Sequence, residues 1–142
     1  MDNTTYKYQR PVLYPKQSEA FFNTDRFSII LGSTKSGKSV AALAWLFEQA
    51  ILEPRKTGAF WWLAPTHRQA QVMYKRLKAY LPEFLYKPND SDMTLTLVNG
   101  NPISFKTAEV IDNLYGEDVH ALVLDEGSRC RPEIMALIRS VL

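Results

Sequence analysis

Apolar residues fall into short, punctuated runs, and each run has a readable period. Residues 27–31 (FSIIL), 59–64 (AFWWLA) and 121–124 (ALVL) are compact and mostly apolar. Runs of this length, bounded by turn residues, predict strands buried on both faces. Between them the apolar positions recur at helical spacing. Val40, Leu43, Ala44, Phe47 and Ile51 predict a helix over 39–52 that Pro54 ends, and Ala70, Met73, Leu77 and Tyr80 predict one over 67–80 that Pro82 stops. Residues 94–98 and 103–105 flank Asn99-Gly100-Asn101-Pro102, and an Asn-Gly pair suits a tight hairpin turn with positive φ. Shorter helices are expected over 17–22, over 108–115 up to Gly116, and over 132–142. The order strand, helix, strand, helix, hairpin, strand, helix predicts an α/β fold with a mostly parallel sheet. That domain covers 27–142, behind a lead-in of 1–26 that carries Pro11 and Pro15.

Composition narrows the class. A chain of 142 residues is one domain with room for a real core. Its net charge of +2 excludes a polybasic or polyacidic tail as the main feature, and 46% apolar with 23% charged residues is ordinary for a soluble globular domain. The lone cysteine, Cys130, excludes a disulfide framework and a cysteine-based zinc cluster, and His67 and His120 are far apart with no cysteine beside them. The longest apolar run, 40–47, is too short to span a bilayer. Met1 is followed by Asp2, Asn3 and Thr4 rather than by a basic and then apolar leader, so an intracellular chain is expected.

The candidate chemistry begins with Gly32-Ser33-Thr34-Lys35-Ser36-Gly37-Lys38-Ser39, which matches G-x-x-x-x-G-K-[ST] at every fixed position between a predicted strand and a predicted helix. Chance alone would produce such a match in a chain this long about once in 200. Glycines let the backbone curl so that successive N–H groups face phosphate oxygens. The following helix adds unpaired N–H groups and the positive end of its dipole. Lys38 can reach the β- and γ-phosphates, and the Ser39 hydroxyl can ligate a Mg²⁺ that bridges them. Downstream, the apolar run 121–124 delivers Asp125 and Glu126 at its C-terminal end, where ligands bind in open α/β sheets. Asp125 would join the Mg²⁺ shell with Ser39, and Glu126 would polarise the attacking water. An adjacent glutamate fits NTP hydrolysis better than the chemistry of a P-loop kinase.

These residues resemble the ATPase domain of the large terminase subunit, the DNA-packaging motor of tailed bacteriophages. Tyr14-Pro15-Lys16-Gln17 resembles the upstream segment that reads adenine in that family, and Lys35 stands where terminases often carry a basic residue inside the P-loop. Trp61-Trp62-Leu63-Ala64-Pro65-Thr66-His67-Arg68-Gln69-Ala70 is similar to the family's second strand and the Pro-Thr segment after it. The Asn99-Gly100 hairpin, Gly116 and Leu124-Asp125-Glu126-Gly127 follow the family's spacing.

The resemblance implies a RecA-like (ASCE) P-loop fold that uses ATP and Mg²⁺ to move double-stranded DNA into a procapsid. Gln17 would contact adenine and Tyr14 would stack on it, Lys35 would meet the γ-phosphate, and Lys38 and Glu126 would carry hydrolysis. It also implies a portal protein and a small terminase subunit as partners, a ring of subunits, and the cytoplasm of an infected host as location. Such chains continue to a coupling motif and an RNase H-like nuclease domain. Leu142 precedes both, so a partial ATPase domain without nuclease residues is expected. Another ASCE-type ATPase, such as a helicase motor domain, and a nucleotide-binding module without turnover are the alternatives.

Two basic groups remain open between function and plain solvation. Arg68, Lys75, Arg76 and Lys78 share the 67–80 helix with no acidic residue, and such a face can track DNA phosphates or simply be solvated. Arg129, Arg131 and Arg139 follow the acidic pair and include candidates for an arginine donated across a subunit boundary.

Overall fold

The computed structural model describes residues 9–13, 15–16, 19, 22, 38–53, 58–109, 118–126, 130 and 132–141. The chain divides into two compact units, Met1–Trp45 and Leu46–Leu142. In the first, Pro15, Lys16 and Glu19 are helical, and the Arg10 guanidinium lies 3.7 Å from the centre of the Phe22 ring. The strand expected over 27–31 and most of the short helices expected over 17–22 and 108–115 lie outside the described residues, Ala108 and Glu109 forming a turn.

Helix α1, Lys38–Leu52, runs from the first unit into the second. Leu43, Ala44 and Phe47 are buried, and so are Ala41, Ala42, Leu46 and Ala50, while Val40 is 41% exposed. A helix apolar nearly all round buries more than one face.

The second unit holds a five-stranded sheet in the order β2-β3-β4-β1-β5. Its strands are β1 (Ala59–Ala64), β2 (Tyr86–Asn89), β3 (Thr94–Leu97), β4 (Pro102–Thr107) and β5 (Val119–Leu124). Parallel neighbours β4 and β5 flank β1, and 60–64 are all buried, which explains its unbroken apolar run. The other two pairings, β2 with β3 and β3 with β4, are antiparallel. The sheet is therefore a parallel core extended by an antiparallel arm. The hairpin stands where the Asn-Gly pair placed it, with Gly100 at φ 93°.

Helix α2, His67–Tyr80, buries Ala70, Tyr74 and Leu77. Its buried stripe thus runs through Tyr74 and not Tyr80, which lies roughly a quarter-turn away and is 46% exposed. On that face Trp62 stacks on Phe105 at 6.3 Å, and Tyr74 meets the edge of Phe105 at 5.7 Å. The opposite face of β1 carries Trp61 and Leu63, which form one cluster with Ala108, Val119 and Ile134, Leu137 and Ile138 of helix α3 (Glu133–Val141). Helices on both faces hold the parallel strands, so their C-terminal ends converge at one rim. Among the described residues no helix is long and apolar enough to cross a membrane.

Candidate active site

The rim formed by the C-terminal ends of β4, β1 and β5 gathers the polar side chains of interest. At the C-terminal end of β1, the Ala64 carbonyl accepts from Ala108 N at 2.8 Å, and the Leu63 carbonyl accepts from Asp125 N at 2.9 Å. The second bond holds the acidic pair to β1 at the point where β5 ends. Pro65 and Thr66 then turn the chain into α2.

Thr66 caps α2. Its backbone is extended (φ −129°, ψ 157°), and its hydroxyl accepts from Gln69 N at 3.2 Å. The same hydroxyl donates to Gln69 Oε1 at 3.0 Å. This is the T-x-x-Q form of a capping pair, with the glutamine side chain turned onto the hydroxyl rather than back to the cap N–H. Held there, Gln69 directs its amide N–H at Glu126, and Nε2 donates to Oε2 at 2.6 Å.

Glu126 has a left-handed backbone, φ 49°. A non-glycine residue in that region costs about 1–2 kcal/mol, and such outliers concentrate at functional sites. Asp125 is its immediate neighbour, and both residues are half-buried. The Cys130 thiol lies behind them with Sγ 3.9 Å from the Glu126 carbonyl oxygen. Burial, and then the negative charges of Asp125 and Glu126, push that thiol above its ordinary pKa. It is thus held as a neutral thiol rather than as a nucleophile.

Of the residues singled out from the sequence, Asp125 and Glu126 stand together at this rim. Lys38 and Ser39 form the first turn of α1 and are half-buried. Gly32, Ser33, Thr34, Lys35, Ser36, Gly37, Tyr14 and Gln17 lie outside the described residues. So do Arg129 and Arg131, while Arg139 is exposed on α3. The Asp125 carboxylate and the Ser39 hydroxyl are hard oxygen donors of the type Mg²⁺ takes.

On α2, Arg68, Lys75 and Arg76 are exposed. Lys78 is not simply solvated: its ammonium donates to Asp90 at 2.8 Å, and Tyr74 OH donates to the same Asp90 oxygen at 2.6 Å. An acid from the β2–β3 turn therefore offsets part of the helix's charge. Thr66 and Gln69 carry no role in the sequence pattern taken alone. Their only local signal is the T-x-x-Q spacing after Pro65.

No family model matches the chain, and no curated protein matches it in sequence. Among solved structures, the large terminase ATPase domain of Thermus phage P74-26 matches it with a TM-score of 0.55 at 21% identity. The match covers 91% of this chain and 63% of that one. The chain is thus similar in fold to a bacteriophage large terminase ATPase domain.

Proposed function

We propose that the chain binds Mg·ATP and hydrolyses it as a RecA-like motor domain of the large-terminase type, and that the hydrolysis drives double-stranded DNA into a viral procapsid. The observation that carries the reading is the acidic pair. Asp125 and Glu126 follow directly on a parallel strand, the glutamate has a left-handed backbone, and its carboxylate accepts a hydrogen bond from Gln69 in the first turn of α2. A G-x-x-x-x-G-K-S segment upstream supplies the phosphate-binding half, and the likeness to a terminase ATPase domain supports the motor class.

Each residue then has a task. The amides of Gly32 to Lys38 hold the β- and γ-phosphates, Lys38 neutralises them, and Lys35 adds a second cation near the γ-phosphate. Ser39 and Asp125 would hold the metal. Bound Mg²⁺ would neutralise charge developing on the phosphate oxygens. Glu126 accepts a hydrogen bond from the attacking water and receives its proton, and Gln69 keeps that carboxylate from swinging away. Tyr14 and Gln17 contact adenine. Portal protein, small terminase subunit, a ring of subunits and residence in an infected host's cytoplasm belong to the same reading.

Nucleotide binding tests it. The chain should bind Mg·ATP in preference to Mg·GTP, and Lys38→Ala should abolish that binding, measured by displacement of a fluorescent analogue. Equal affinity of Lys38→Ala and its parent would remove the reading.

A further inference from the structure

Helix α2 lies wholly in the second unit and presents two faces of different chemistry. At about 100° per residue, buried Ala70, Tyr74 and Leu77 lie on one side. Arg68, Lys75 and Arg76 fall within an arc of roughly 100° centred opposite them. Gln71, Val72 and Ala79 share that outer side, and all six residues are exposed. The helix contains no acid. On its flank Lys78 pairs with Asp90, which also feels the charge of Lys75. Arg68 and Arg76 have no ion-pair partner among the described residues.

This face fits a regular polyanion. Arg68 and Arg76 are separated by about 12 Å along the helix axis, the rise of three to four phosphates on one strand of a duplex. The side chains between them are neutral or basic, so none repels a phosphate. A helix that binds a lipid surface buries its apolar face in the bilayer, whereas the apolar face of α2 is packed on β1 and β4.

The same helix reaches the sheet rim. Arg68 is followed by Gln69, whose Nε2 donates to Glu126 at 2.6 Å and whose side chain is steadied by the Thr66 hydroxyl. A hydrogen bond of that length is lost when its donor moves by about 1 Å. A ligand that fixes the first turn of α2 therefore also fixes this contact to Glu126.

We propose that the outer face of α2 binds the phosphate backbone of a duplex nucleic acid through Arg68, Lys75 and Arg76, and that the bound polymer raises hydrolysis by steadying Gln69 against Glu126. The surface stands on its own geometry, and the coupling rests on the hydrolysis reading above. The contacts are to phosphate, so base sequence does not matter. Gln69 acts here as a positioning residue.

Binding is read without nucleotide, from the fluorescence anisotropy of a labelled duplex of mixed sequence at about 50 and 200 mM salt. Each phosphate contact contributes about 0.9 to the slope of log K against log salt. A protein carrying Arg68→Gln, Lys75→Gln and Arg76→Gln together should lose about 2.7 of that slope and bind more than tenfold more weakly at the lower salt. Circular dichroism checks its fold. Arg68→Gln alone should lose about 0.9 and decides the matter if the triple variant does not fold. Phosphate release at saturating Mg·ATP reads the coupling. The duplex should raise kcat of the parent about fivefold. Gln69→Leu should bind the duplex as the parent does and show no rise. A parent that does not bind the duplex, folded variants with unchanged affinity and slope, or polyglutamate that displaces the duplex equally well charge for charge, overturns the surface. A parent that binds duplex and hydrolyses ATP without a rise, or a Gln69→Leu protein that keeps the rise, overturns the coupling alone. A parent that hydrolyses no ATP overturns the hydrolysis reading and the coupling together, while anisotropy still decides the surface.

Discussion

Replacing Gly58 with alanine tests the ladder that brings β5 beside β1. A Cβ built on Gly58 would lie 3.0 Å from the Asp118 carbonyl oxygen and 3.3 Å from His120 N, whereas ordinary contact begins at 3.4 Å. Both neighbours are backbone, so no side chain can swing aside. The same Asp118 carbonyl accepts from Ala59 N at 2.9 Å. Relieving the clash therefore stretches the first bond between the two strands, next to the register shift at Ala59 and Phe60. Gly58 is not left-handed, so the penalty is steric alone. Overpacking of this kind costs about 1–3 kcal/mol. Reduced freedom of the unfolded chain returns about 0.4–1 kcal/mol. The two ranges leave a net loss of about 0–2.6 kcal/mol, about 1.3 kcal/mol at their midpoints, which lowers the melting temperature by roughly 5–10 °C for a unit near a hundred residues. Thermal unfolding followed by circular dichroism measures it. A Gly58→Ala protein as stable as its parent would refute the close β1–β5 approach from which the site is built.

Gln69→Leu removes one donor to the Glu126 carboxylate, at 2.6 Å. With that bond gone, kcat for ATP should fall about tenfold while KM changes little, as expected when a reacting group loses part of its orientation; an unchanged kcat in a phosphate-release assay would deny Gln69 that role. The Asp90 carboxyl is held below the usual range, first by the hydrogen bond from Lys78 and then by that from Tyr74. Its contribution is therefore present above the unfolded value of about 3.9 and is lost as pH falls through the lower folded value. The melting-temperature gap between parent and Asp90→Asn should be open at pH 6 and should close toward pH 2; a gap that widens on acidification would contradict the assignment.

Much of this architecture is written in local pattern. The limits of β1 and α2 follow from Gly58, Pro65, the Thr66 cap and Pro82, each of which acts within a few residues of the boundary it sets. β2 was not legible. Tyr86-Lys87-Pro88-Asn89 lacks alternation and contains a proline, which only an edge strand tolerates, and edge status depends on partners distant in sequence. β5 begins two residues earlier than its apolar run because the exposed His120 interrupts the pattern.

The site divides the same way. Asp125 and Glu126 announce themselves by ending an apolar strand, but the glutamate's partner lies 57 residues away on another turn. Asn99 and Asn101 read as turn residues because the turn is local. Their hydrogen bonds to the Ala50 and Glu53 carbonyls form only when the antiparallel arm folds back onto the helix end.

The most direct measurement is phosphate release by the Glu126→Gln protein beside its parent, at saturating Mg·ATP and with binding measured on the same samples. The account predicts that both proteins bind ATP and that only the parent turns it over at an appreciable rate. Equal turnover by the two would contradict it, because the carboxylate that Gln69 holds at the sheet rim would then have no part in the chemistry.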